Sequence, residues 1–138
     1  MIVPHFYENP QILHEHTMPA RAYFIPASVR RDDLIEHRER SDRFQLLDGE
    51  WDFRYYKSIY EVTEPFYAPG YDRTEFEKIT VPGMWQMAGY DRHQYTNIRY
   101  PFPFDPPYVP QDDPCGAYIH SFWYQKDEKA SKAFLNYG

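Results

Sequence analysis

Trp85, Tyr90, Asp91, His93, Tyr95 and Asn97 fall within thirteen consecutive residues. Aromatic rings stack on the apolar C–H faces of a sugar, while Asn, Asp and His exchange hydrogen bonds with its hydroxyls. The set is therefore a candidate saccharide surface, with the Asn97 amide able both to donate and to accept. Composition alone makes this suggestive and no more. The aromatic members read equally well as anchors that tie an irregular loop to a core, and for Trp85 the anchoring reading is the one we adopt. Tyr95 and Tyr90 are further candidates for holding the loop.

Other catalytic sets are absent from the sequence. It contains no Gly-x-Ser-x-Gly, no glycine-rich phosphate loop and no His-Glu-x-x-His. Cys115 follows Asp-Asp-Pro and precedes Gly116, which reads as a turn rather than a nucleophile. Carboxylates number 21, but pairs such as Asp32-Asp33 and Asp112-Asp113 lie among polar neighbours and read as solvated. His14 and His16 would share one side of an extended segment. No Cys or third His stands near at ligand spacing, so solvated or stacked histidines are the simpler reading, and we assign no metal site.

These residues need elements to position them. Asp48-Gly49 is a tight-turn dipeptide. After it, Trp51, Phe53 and Tyr55 alternate with Asp52, Arg54 and Tyr56, which predicts a strand with an aromatic face inward. Residues 57–66 can hold one helical turn before Pro65, and Pro69-Gly70 predicts another turn. Phe76–Val81 alternates again and predicts a second strand, ended by Pro82-Gly83. Residues 82–116 read mostly as loop, with a short strand at Tyr95–Tyr100 and a cis bond in the Pro106-Pro107 run. Ala117–Tyr124 predicts a third strand, and Ala133–Tyr137 starts a fourth that would leave an unpaired apolar edge. Before all of this, residues 1–29 carry Pro4, Pro10, Pro19 and Pro26 and read as an extended arm that gains order by lying on something else. Residues 30–43 are dominated by charges of both signs and read as a surface segment with only Leu34 and Ile35 to bury.

Composition supports an all-β chain. Of the 138 residues, 20% are aromatic and thirteen are proline, which disfavours long helices. The net charge of −6 speaks against nucleic acid, which needs a basic patch to displace counterions. No run approaches the roughly 20 apolar residues of a membrane span. The N-terminus shows no signal-peptide pattern, and Cys115 is the single cysteine, so the cytoplasm is the default compartment.

Several motifs together resemble one family. Leu47-Asp-Gly-Glu-Trp-Asp-Phe53, Val81-Pro-Gly-Met-Trp-Gln-Met-Ala-Gly-Tyr90, Tyr95-Thr-Asn97, Asp105-Pro-Pro-Tyr-Val-Pro110 and Pro114-Cys-Gly-Ala-Tyr118 are similar to the N-terminal part of glycoside hydrolase family 2 β-galactosidases. The resemblance covers about residues 6–138. It implies a jelly-roll β-sandwich of galactose-binding type, truncated, preceded by a Pro-rich arm. The domains would be 1–43, arm and charged segment, and 44–138, a partial sugar-binding jelly roll. It implies that Asn97 enters the galactose site. It also implies that the acid/base and nucleophile glutamates, set about 5 Å apart for retaining hydrolysis, sit on a TIM barrel far downstream. The magnesium and sodium ligands would likewise come from later segments, leaving no cofactor on this chain. The expected partners are a β-galactoside and the rest of the β-galactosidase chain or a complementing subunit. The chain is thus expected to be a fragment, inactive alone. The rivals are a free-standing carbohydrate-binding module and a remnant or assembly piece that docks on a larger subunit.

Overall fold

The computed structural model describes residues 2–93, 95, 97, 98 and 102–137. Its regular structure is a single three-stranded antiparallel sheet in the order β2-β1-β3, with β1 at Gly49–Tyr56, β2 at Glu77–Val81 and β3 at Cys115–Ile119. The only helices among the described residues are four short 3₁₀ turns, at His5–Glu8, Arg38–Arg40, Ile59–Glu61 and Trp85–Ala88. The chain is all-β, one layer of an incomplete sandwich.

The alternation read in β1 decides how the sheet is used. Successive side chains of a strand point to opposite faces, so Trp51, Phe53 and Tyr55 share one face and Asp52, Arg54 and Tyr56 the other. Phe53, 1% exposed, centres the first face. On the second face Tyr56, Val62 and Ala117 form a small core, joined by Ile2, Phe66, Phe76 and Cys115. Charged pairs flank it. Asp52 stands opposite Lys78 in the β1–β2 register. Its carboxylate accepts from Lys78 Nζ at 2.6 Å and from Arg73 Nη1 at 3.3 Å.

The first residues of the arm reach the core on this face of the sheet. Ile2 N donates to the Val62 carbonyl at 2.9 Å, and Glu8 bridges His5 Nδ1 at 2.8 Å and the Val109 amide at 3.4 Å. In the charged segment Leu34 is buried and Ile35 exposed. Ser41 donates to the Pro26 carbonyl, and Arg43 pairs with Asp127.

Two strand expectations need correction. The third strand runs Cys115–Ile119 rather than 117–124, and residues 133–137 form no strand. Alternating side chains report alternating faces, but a strand also needs a neighbouring backbone to bond. Beyond Ile119 none is present among the described residues, and Trp123 is left 96% exposed. The short strand expected at Tyr95–Tyr100 falls largely outside the described residues. The helical turn within 57–66, the turn at 69–70 and the cis bond at Pro106–Pro107 are all present, as is a second cis bond at Val81–Pro82.

One layer leaves much surface uncovered. The chain exposes 12068 Å², whereas a compact monomer of its 16.7 kDa exposes about 7,600 Å². Large apolar side chains share in it, among them Leu13, Phe104, Trp123 and Tyr137, each more than three-quarters exposed.

The Asp52 pairs give the sheet a pH signature. The Lys78 hydrogen bond, ahead of its charge and of Arg73, holds the Asp52 carboxyl below its ordinary value of 3.8. A lowered folded value means stability that is present above the ordinary value and is lost as pH falls through the folded one. The wild-type chain is therefore expected to be more stable than Asp52→Asn at neutral pH. Urea titrations should show that advantage shrinking to nothing as the pH drops below about 4.

Candidate functional site

The site begins where β2 ends. Pro82 and Gly83 turn the chain out of the sheet, and Trp85–Ala88 makes one 3₁₀ turn. Gly89 closes it at φ +94°, a left-handed conformation that a side chain would disfavour. The turn is held by Gly89 N to the Gln86 carbonyl at 3.3 Å and by Tyr90 N to the Trp85 carbonyl at 3.1 Å. Asp91 follows with φ +59°.

This hairpin of backbone swings two rings back onto the aromatic face of the sheet. Trp85 lies 6.1 Å from Phe53 and 5.9 Å from Tyr55, centroid to centroid. Tyr90 meets Phe53 edge-on at 4.8 Å and stacks with Tyr55 at 6.0 Å. Gly116 of β3, opposite Tyr55 in register, makes this possible. A Cβ there would fall 2.6 Å from Trp85 Cζ3 and 2.7 Å from Phe53 Cε2. The Trp85 Nε1 donor is sealed from solvent with no partner among the described residues, so Trp85 sits there for its ring rather than its N–H.

Tyr90 adds a polar tie. Its hydroxyl donates to Glu77 Oε2 on β2. That hydrogen bond, with burial and the carboxylate charge behind it, pushes the Tyr90 phenol from 10.0 up to about 12. The loop is thus fixed to all three strands: to β1 by stacking, to β2 by Glu77 and to β3 over Gly116.

Beyond these anchors the chain opens to solvent. Tyr95 is 87% exposed, and His93 and Asn97 are exposed as well. The candidate residues therefore divide in two: Trp85 and Tyr90 lie against the sheet, while Tyr95 and Asn97 lie in the exposed stretch that the anchored turn launches. The surface offers hydrogen-bonding groups and rings for holding a ligand. Cys115 is half-buried, and burial pushes its thiol upward, which makes it a poor nucleophile. His16 pairs with Glu15 at 3.0 Å. No group of three His, Cys, Asp or Glu among the described residues could share a metal ion.

Two residues of this assembly escaped the sequence reading. Gly116 falls at the end of the 82–116 stretch that reads as loop, yet it lies inside β3, where a glycine allows close approach by another group. Glu77 was one surface carboxylate among many, and nothing local links it to a tyrosine thirteen residues on.

Gly116→Ala is expected to displace Trp85 and cost about 1–3 kcal/mol, as overpacking does, in a urea titration. Tyr90→Phe tests the tie to Glu77. A raised folded value means stability that is present below pH 10 and lost as pH rises through about 12. The wild-type chain should lose stability over that interval relative to Tyr90→Phe, which has no phenol at this position to ionise.

Comparison with known proteins places the sequence in a family. Residues 44–136 match the family described as glycosyl hydrolases family 2, sugar binding domain. The chain is 42% identical over 137 residues to a β-galactosidase of Actinobacillus pleuropneumoniae, a match that covers 99% of this chain and 13% of that protein. It is 36% identical over 138 residues to a β-galactosidase of Staphylococcus xylosus, again covering 99% and 13%. A β-galactosidase of Yersinia enterocolitica is 37% identical over 121 residues, 88% of this chain and 11% of that protein. The chain thus spans about an eighth of the length of the curated relatives it matches. With the family match running over both partner strands of β1 and the anchored turn between them, the chain belongs to the glycosyl hydrolase family 2 sugar-binding domains.

Proposed function

We propose that this chain is the N-terminal sugar-binding part of a β-galactosidase, and that Asn97 contacts a hydroxyl of the galactose. In the assembled enzyme the reaction is hydrolysis of terminal non-reducing β-D-galactose residues, as in lactose. Trp85 and Tyr90 hold the turn from which the Asn97 stretch departs, and Tyr95 supports that stretch once it is covered. The retaining pair of glutamates, and the magnesium and sodium ligands, belong to chain outside residues 1–138. Alone, the chain does not cleave the substrate.

The observation that carries this reading is the pair of coverages, 99% of this chain but 13% of the Actinobacillus β-galactosidase. The uncovered surface supports the second half of it. An excess of roughly 4,500 Å² over a compact monomer is several times what one side of a stable interface buries. Such a surface suits a chain completed by the rest of a β-galactosidase, in the same polypeptide or as a complementing subunit. It does not suit a free-standing carbohydrate-binding module. In this reading residues 1–43 are an arm that shares in that contact, and residues 44–138 are the partial jelly roll. The single cysteine supports a cytoplasmic setting. No helix among the described residues is long and apolar enough to cross a membrane.

The test joins the 138 residues to the remainder of the Actinobacillus enzyme and assays a chromogenic β-galactoside. The chain alone should show no turnover and the chimera should hydrolyse the substrate. Asn97→Ala should lower the kcat/KM of the chimera by about tenfold or more, the loss expected when a hydroxyl's partner is removed. Unchanged kcat/KM would remove Asn97 from the site. Turnover by the isolated chain, lost on changing one of its own carboxylates, would overturn the reading as a whole.

A further inference from the structure

Tyr90 stands between two residues of left-handed backbone. Gly89 precedes it at φ +94° and Asp91 follows it at φ +59°. The chain turns sharply on both sides of one ring, and that ring is held from three directions. It meets Phe53 edge-on, stacks with Tyr55 and donates its hydroxyl to Glu77 of β2. Glycine takes the left-handed conformation freely, whereas aspartate takes it only with strain. Strain of this kind persists where neighbouring structure over-determines the backbone. Here the neighbouring structure is the seat of Tyr90.

Asp91 is also where the hold of the sheet ends. Its charge still reaches β1: burial first, and the Asp91 carboxylate next, raise the Tyr55 phenol above its ordinary value. Beyond it Arg92, His93, Tyr95 and Asn97 are exposed, and no backbone hydrogen bond among the described residues ties them to the sheet. The direction in which this stretch leaves the domain is therefore set at Tyr90 and Asp91. Asn97 stands six residues beyond Asp91, a reach of up to about 20 Å. Over that reach a turn of a few degrees at Asp91 shifts Asn97 by about 1 Å, and a misplacement of that size weakens a reacting geometry.

We propose that Glu77 and Asp91 are positioning residues for the substrate: Glu77 fixes the Tyr90 ring as a pivot, Asp91 turns the chain off that pivot in one direction, and together they aim Asn97 at the galactose hydroxyl. The proposal rests on the reading of Asn97 as a galactose ligand. Neither residue touches the sugar. Glu77 acts as a hydrogen-bond acceptor, so its oxygen matters and its charge does not. Asp91 acts through its backbone, so its tolerance of positive φ matters and its carboxylate does not. A carboxylate that met the sugar itself would be needed for its charge. A residue that only held the fold would matter equally with Asn97 present or absent.

The test uses the chimera of the 138 residues with the remainder of the Actinobacillus enzyme and measures kcat/KM on a chromogenic β-galactoside. Glu77→Leu and Asp91→Val are expected to lower it about threefold to tenfold. Tyr90→Phe, which removes only the hydroxyl, cuts the Glu77 contact more mildly and should lose activity in the same direction. Glu77→Gln keeps an acceptor oxygen and Asp91→Asn keeps tolerance of the left-handed conformation, so both should stay within about twofold of the parent. In an Asn97→Ala background the losses from Glu77→Leu, Tyr90→Phe and Asp91→Val should shrink below about twofold, since no side chain is left to aim. Losses that persist undiminished in that background overturn the proposal in favour of a purely structural role. Equal losses in the Gln and Asn variants overturn it in favour of charge. If Asn97→Ala is impaired while Glu77→Leu, Tyr90→Phe and Asp91→Val are not, this proposal alone falls. If Asn97→Ala itself changes nothing, the reading of Asn97 falls and the proposal falls with it.

Discussion

The contact on which the structure depends is the Trp85 indole laid over Gly116 and against Phe53. It joins the turn after β2 to the outer strand β3 across the middle strand. It does so on the face that the β1 alternation makes aromatic. Without a side chain at Gly116 the ring approaches the β3 backbone directly, and Phe53 is buried beneath it. Stacked and edge-on aromatic pairs add to area burial and also fix orientation. Here they tie a loop rich in proline and glycine to the aromatic face of the sheet. Glu77, opposite Phe53 on β2, then ties Tyr90 to the same face.

The candidate residues differ in exposure. A residue that meets a ligand needs exposure, and a ring that anchors a loop needs burial. Trp85 and Tyr90 are packed on the sheet, and Tyr95 and Asn97 are exposed. The domain supplies a rigid launch point, while the surface it leaves uncovered is far larger than a compact monomer of its mass carries. The opposite face of β1 has a different character. Ion pairs and the small core around Tyr56 occupy it, so one strand serves two chemically distinct surfaces by the strict alternation of its side chains.

How much was legible varies by element. Strands β1 and β2 were readable because each alternates cleanly and is bounded by turn residues, Asp48-Gly49 before the first and Pro82-Gly83 after the second. The turns at 59–61 and 69–70 were readable because proline and glycine restrict the backbone locally. Residues 120–124 and 133–137 misled, since their alternation is as good as that of β1. What they lack is a partner strand, and pairing is a property of the whole chain that no window of residues contains. In the site, Trp85 as an anchor followed from its place in a loop too rich in special backbone to hold itself. Its seat on Gly116 and the reach of Tyr90 to Glu77 did not.

The sequence by itself determined the all-β character, the position of the aromatic face and the family motifs. These depend on residue type, on period and on local backbone restriction, all written in neighbouring positions. Only the tertiary structure decided which rings pack on which strand, that Gly116 within β3 is the seat of the Trp85 ring, and that Tyr56 packs with Val62 and Ala117 on the opposite face. Those facts arise from contacts between residues tens of positions apart, Gly116 with Trp85 and Phe53, Tyr56 with Ala117. Long-range contact depends on how the strands are ordered and registered, and that order is fixed by the total burial of the chain rather than by any segment of it.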